Sequence, residues 1–211
     1  MRLKTAGALI ITAFVMAVSP TLALQSSPSN PPTEVTIFRP SLASIGGEQQ
    51  GNCWTDSIAV RRSGAWRCMR GNMIYDPCFE VRGRTKQVIC DANPVSHKSG
   101  FTLILEKPLP SRPRDNAAPR PWLLELANGS VCEAATGTMA VIQGEPVRYP
   151  CSSQSPDELN GLKLNCGLLD RLHPAKVWRA DKVCFTAAPS ENGAPFQLQK
   201  RETVVIRRIW E

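Results

Sequence analysis

Eight cysteines, Cys53, Cys68, Cys78, Cys90, Cys132, Cys151, Cys166 and Cys184, constrain this chain more than any other feature. An even set reads as a disulfide framework wherever the chain leaves the reducing cytoplasm. The competing reading, structural zinc, fits poorly. No Cys-x-x-Cys pair occurs, and the only two histidines, His97 and His173, lack paired-ligand spacing. Eight half-cystines allow 105 connectivities. Proline-rich residues Lys107 to Pro121 divide them four and four. Within each half, neighbour pairing (Cys53–Cys68, Cys78–Cys90, Cys132–Cys151, Cys166–Cys184) is the first expectation, because the ends of a β-hairpin lie close together. The cysteines are too sparse for a miniature scaffold held by bridges alone, so an apolar core must carry much of the fold.

The N-terminus supplies the oxidising address. Arg2 and Lys4 precede an uncharged apolar run, Ala6 to Val18, a Ser19-Pro20 break and small residues ending at Ala23. That is the three-part grammar of a secretory signal, cleaved after Ala23. A helix of that run reaches only about 20 Å, short of a ~30 Å hydrocarbon core, which argues against an anchor. No later segment is apolar enough for stable membrane insertion, and the expected location is secreted or periplasmic. Removing residues 1–23 would take the formal charge from +7 to +5 by losing Arg2 and Lys4. This excess is too small to argue for nucleic acid.

Residues 24–33 read as a Ser/Pro linker, 34–106 as a first β subdomain, 107–121 as a second linker and 122–211 as a second β subdomain. Short segments rich in β-branched and aromatic residues recur between turn formers: Glu34–Phe38, Ser57–Val60, Thr85–Cys90, Phe101–Glu106, Trp122–Leu126, Thr138–Ile142, Lys182–Thr186 and Thr203–Ile209. One short helix is suggested over Asp157–Leu172, where leucines suit a helical face and Pro174 would stop it. The expected fold is mainly β, with two small disulfide-stabilised subdomains. The halves echo each other, since Cys53, Ile58-Ala59-Val60, Gly64, Arg67 and Cys68 match Cys132, Met139-Ala140-Val141, Gly144, Arg148 and Cys151. A duplicated, bridged hairpin would produce that pattern.

The chemistry-bearing candidates are few. Gly51-Asn52-Cys53-Trp54 resembles the nucleophile neighbourhood of papain-like proteases and of CHAP-type cell-wall amidases, which would pair Cys53 with His173. Against it, Pro174 follows that histidine, the residues after Cys53 look like turn and strand, and an active thiol leaves an odd cysteine count. No Gly-x-Ser-x-Gly elbow, phosphate loop or dinucleotide fingerprint is present, and no cofactor is implied. Carboxylates at Asp56, Asp76, Glu80, Asp91, Asp157, Asp170 and Asp181 are scattered and nothing in the sequence pairs them. Arg82, Arg84 and Lys86 alternate, so a strand would set all three on one face, ~6.6 Å apart. They are the ligand-contact candidates, for an anionic envelope polymer or a protein partner. A secreted inhibitor using the Arg70–Cys78 loop is a further reading.

Cys53 to Phe79, CWTDSIAVRRSGAWRCMRGNMIYDPCF, resembles a segment of exported bacterial proteins of uncharacterised function in which Cys-Trp, Ala-Trp-Arg-Cys and Asp-Pro-Cys-Phe recur. Arg148-Tyr149-Pro150-Cys151, Gly167-Leu168-Leu169 and Lys176-Val177-Trp178-Arg179-Ala180 are similar to the second half of such proteins. The resemblance implies a bacterial, exported, cysteine-bridged protein and supplies no catalytic residue. The sequence thus points to a binding or envelope-associated module rather than an enzyme.

Overall fold

A computed structural model of the chain describes residues 30–41, 46–111, 120–152, 158–159, 162–187 and 195–211. The export signal proposed over residues 1–23 lies outside them, as do most of residues 24–33 and 107–121. The described residues contain strands and turns and no helix.

The first half forms a closed five-stranded barrel from β2 (Glu48–Asp56), β3 (Ala65–Arg70), β4 (Met73–Glu80), β5 (Gln87–Cys90) and β6 (Phe101–Leu105). Neighbours run antiparallel, and β6 returns parallel to β2 to close it. Closure leaves no free sheet edge in this barrel. Gly51 marks where β2 passes closest to β3: a Cβ there would lie 2.2 Å from the Met69 carbonyl oxygen.

The second half builds a larger sheet from β7 (Leu123–Leu126), β8 (Val131–Glu133), β10 (Glu145–Ser152), β13 (Asn165–His173), β14 (Arg179–Thr186) and β15 (Gln197–Trp210). These pair in that order, and β15 also pairs with β7, so this sheet closes as well. Two-residue β9 (Val141–Ile142) adds to β10, and β11 (Glu158–Leu159) and β12 (Leu162–Lys163) make a small hairpin. Strand β1 (Glu34–Thr36), from the N-terminal side of the first barrel, lies parallel along β15.

All four bridges join residues directly opposite each other on paired antiparallel strands: Cys53–Cys68, Cys78–Cys90, Cys132–Cys151 and Cys166–Cys184. Their Cα–Cα separations are 3.9, 4.2, 3.9 and 4.1 Å. Directly opposed residues are close enough to bridge only where two strands already run side by side. The sulfurs therefore lock ladders that hydrogen bonds define. These are the neighbour pairs that the cysteine order suggested.

The two barrels share a core. Ala59, Val60, Ala65 and Phe79 of the first half pack in one cluster with Trp122, Leu124, Tyr149, Leu168, Ile206 and Trp210 of the second. Phe38 lies between them, 5.4 Å from the Phe79 ring and 5.9 Å from the Trp122 ring. The Tyr149 hydroxyl, fully buried, donates to the Pro121 carbonyl at 3.1 Å. A second cluster, with Cys68, Val88, Cys90 and Leu103, fills the first barrel. A third, with Val147, Leu169, Val183 and Phe185, lies against β10, β13 and β14.

Three local expectations are corrected. The described part of the helix candidate is strand, with Asn165–His173 laddered to β14. Packing against two neighbouring strands overrides a leucine spacing that also suits a helix, and Gly167 allows close approach, since a Cβ there would meet Val147 Cγ1 at 2.3 Å. Ser57–Val60 is a bend rather than a strand. The Ser57 hydroxyl accepts from the Ala59 and Val60 amides, and Asp76 accepts from Ile58. Those side-chain bonds take the amides that a ladder would need. Finally, Val81–Lys86 is a turn joining β4 to β5, so Arg82, Arg84 and Lys86 do not alternate on a strand face.

Candidate functional site

The sequence candidates scatter once folded. Arg82, Arg84 and Lys86 sit exposed on the β4–β5 turn. Cys53 is bonded to Cys68, so no Cys53 thiolate exists to act as a nucleophile. His173, at the end of β13, is exposed and pairs in register with Arg179. The thiol-hydrolase reading loses its nucleophile. The Sγ atoms of buried Cys68, Cys78 and Cys90 lie within 4.8 Å of one another. Each is spent in a bridge, and a bridged sulfur is not the thiolate donor that a metal needs. Of the tryptophans, Trp66, Trp122 and Trp210 are core, whereas Trp54 is 40% exposed.

Arg62, Arg148 and Arg67 are structural. Arg62 donates to the Phe38 carbonyl at 2.6 Å and lies over the Phe79 ring. Arg148, in β10, donates to the Ile58 carbonyl of the other barrel. Arg67 donates to the Thr136 carbonyl at 3.1 Å and stands 3.5 Å from Asp76 Oδ2.

Concave features among the described residues include a cavity and a cleft. The first is a cavity of about 560 Å³ beside Cys151 and Cys166. Its apolar wall comes from Met139, Leu164, Phe185 and Phe196, continuous with the third core cluster. Phe185 and Phe196 meet edge to face at 5.3 Å. Exposed Thr138, Ser152, Lys163 and Asn165 supply its polar groups. A shallower hollow of about 430 Å³ shares Pro150, Cys151 and Ser152 with it.

The second feature is a polar cleft of about 350 Å³ where the barrels meet. Tyr75 and Asp76 of β4, Asp91 and Lys98 of the β5–β6 loop, and Glu133 of β8 line it. The Asp76 side chain is fully buried and accepts from Ser57 Oγ and from the Ile58 and Ala59 amides. Burial nonetheless outweighs those bonds and Arg67, and leaves its carboxyl above the usual carboxylate range. Glu133 is also raised, first by desolvation and then by the charge of Asp91, with Lys98 opposing. Its residue is well exposed to solvent at the cleft rim, so the effect is modest. Lys98 Nζ lies 2.6 Å from Asp91 Oδ2.

Asp76 and Asp91 were among the scattered carboxylates of the sequence. Glu133, Thr136 and Lys163 carried no signal there. What unites them is contact between barrels or across strand ends, which no local pattern encodes. Comparison with known protein families, with curated proteins and with solved structures gave no match. The chain is thus a disulfide-stabilised all-β protein whose four bridges belong to an oxidising compartment outside the cytoplasm.

Proposed function

We propose that this protein is an extracytoplasmic binding module that holds a ligand without transforming it, exported by the signal read over residues 1–23. Its ligand is an amphipathic envelope molecule whose apolar body occupies the cavity beside Cys151 and Cys166. The supporting observation is the cavity itself. Its volume, about 560 Å³, lies in the range of small-molecule sites, and an aromatic and aliphatic wall meets a few polar groups. Lys163 is the cation among them and suits an anionic head group, the charge class already expected of a ligand.

The test is titration of the disulfide-intact protein with a fluorescent long-chain fatty acid and with its methyl ester. Saturable one-to-one binding is expected, several-fold tighter for the acid. Ala140→Trp, which fills the cavity, should weaken binding about tenfold. Lys163→Ala should erase the preference for the acid. Absence of saturable binding, or an affinity untouched by Ala140→Trp, would overturn the reading.

A further inference from the structure

The outer surface of the first barrel exposes apolar side chains that do not line the cavity. In register, Met69 of β3 stands opposite Asn52 of β2 and Ile74 of β4. Directly opposed residues share a face of the sheet. The next row, Cys53, Cys68 and Tyr75, packs into the second core cluster, so the Met69 row faces outward. Met69 is 42% exposed and Ile74 51%. Ile58, 47% exposed, is tied to the same strand by its backbone, whose amide donates to Asp76 Oδ2 at 3.1 Å. Trp54, 40% exposed on β2, has its ring 5.9 Å from the Arg67 guanidinium carbon.

Single exposed apolar side chains are ordinary, but a cluster on one rigid face marks an interaction site. The face is rigid, since the Cys53–Cys68 and Cys78–Cys90 bridges fasten the strands beneath it. Ile74 also forms one wall of the polar cleft between the barrels. There the charges do not balance. Arg67 offsets Asp76, and Lys98 pairs with Asp91, which leaves Glu133 as the excess negative charge beside the apolar patch.

We propose that this face docks a polypeptide segment that lays apolar side chains on Met69 and Ile74 and extends a Lys or Arg head group into the Asp91–Glu133 cleft. An apolar contact supplies affinity at the centre, and the charge at the rim selects the sign of the partner. A partner with an acidic residue in that place would meet Glu133 and be rejected.

The test uses two synthetic peptides, one of apolar residues flanked by arginines and one with glutamates in their place, titrated into the full disulfide-intact chain and followed by amide chemical shifts. The arginine peptide should perturb the β2–β4 amides and the glutamate peptide should not. Ile74→Lys, at an exposed position, should weaken binding about tenfold with the melting temperature unchanged. Glu133→Gln should weaken it several-fold and flatten its salt dependence. Ala140→Trp, at a residue that lines the cavity but not the cleft, should leave it unaltered, which separates this site from the proposed ligand cavity. Equal binding of both peptides, no binding up to about 1 mM, or indifference to Ile74→Lys would each overturn the proposal. So would a homodimer, seen in sedimentation, that Ile74→Lys dissolves, because a second copy would then own the face.

Discussion

Arg67 donates to the Thr136 carbonyl oxygen at 3.1 Å across 69 residues of sequence, tying the outer wall of one barrel to the other. The same Nη1 stands 3.5 Å from Asp76 Oδ2, and the Asp76 side chain has no solvent exposure. Removing one partner from a buried pair strands the other without its counter-charge. Arg67→Ala should therefore destabilise the protein by about 2–3 kcal/mol, below the upper range because three other donors still serve Asp76. Urea unfolding of wild type and variant measures it. A change within about 0.5 kcal/mol would show that the contact is an ordinary surface one.

Asp76 should also give stability an unusual dependence on pH. Its folded carboxyl is raised above the ordinary value of 3.8, first by burial, against the hydrogen bonds and Arg67 that pull it down. The folded state therefore holds the proton more tightly than the unfolded one. The resulting stabilisation is present below pH 3.8 and is lost as pH rises through the folded value. Asp181 works in the opposite sense. Its carboxyl is lowered, first by the hydrogen bond from Arg201, so its contribution is present above pH 3.8 and lost as pH falls. That pair is exposed, which keeps its share small. Melting temperatures of wild type and Asp76→Asn, compared from pH 3 to 7, should show wild type losing ground as pH rises. The reverse slope would mean that Ser57, the two amides and Arg67 outweigh burial.

Tyr149 governs the alkaline side. Burial raises its hydroxyl from 10.0 to about 12, with Asp170 adding to the shift and Arg120 and Arg148 opposing it. The stabilisation is present below pH 10 and disappears as pH rises through about 12. A rise of that size corresponds to about 2–3 kcal/mol. Tyr149→Phe should cost about 1 kcal/mol at neutral pH, since it deletes the hydrogen bond to Pro121, and should flatten the decline above pH 10. Rapid-mixing phenolate absorbance offers the direct check. If Tyr149 ionises with an unburied phenol, the hydroxyl is not held as the structure has it.

The bridge pattern was legible because cysteines 12 to 19 residues apart in a β-rich chain fall on successive strands. The same regularity explains the echo between halves: Cys53–Cys68 and Cys132–Cys151 each span a paired antiparallel set, and a second bridged pair follows in both. Ser57–Val60 misled because β-branched composition cannot reveal that Asp76, 18 residues away, captures the Ile58 amide. The leucines of β13 misled because Leu168 and Leu169 face two different clusters, a period of two hidden beneath a helical spacing. Neither concave site was legible, as Glu133 and Lys163 acquire neighbours only when strand ends and barrels meet.

Those bridges make a prediction that needs no variant at first. Alkylation without reduction should label no cysteine, since none of the eight is free. A non-reducing digest should release the four neighbour-linked peptide pairs. Replacing Cys132 and Cys151 together with alanine should then cost about 3 kcal/mol by freeing a loop of 19 residues in the unfolded chain. An alkylatable Cys53 in the native protein would instead restore the thiol chemistry that its bond to Cys68 removes.

Arg82, Arg84 and Lys86 offer the last contrast, between a charge that holds the fold and one that only meets solutes. All three are exposed on the turn after β4, where Gly83 takes a left-handed backbone at φ 76°. Surface substitutions away from caps, cores and pairs shift stability by no more than about 0.5 kcal/mol. Replacing the three with alanine should therefore leave the melting temperature in place, unlike Arg67→Ala. If this turn meets an anionic envelope polymer, as the sequence suggested for its three cations, retention on an immobilised polyanion should fall to lower salt in the triple variant. Unchanged elution would assign retention to other basic residues and leave the turn a solvated one.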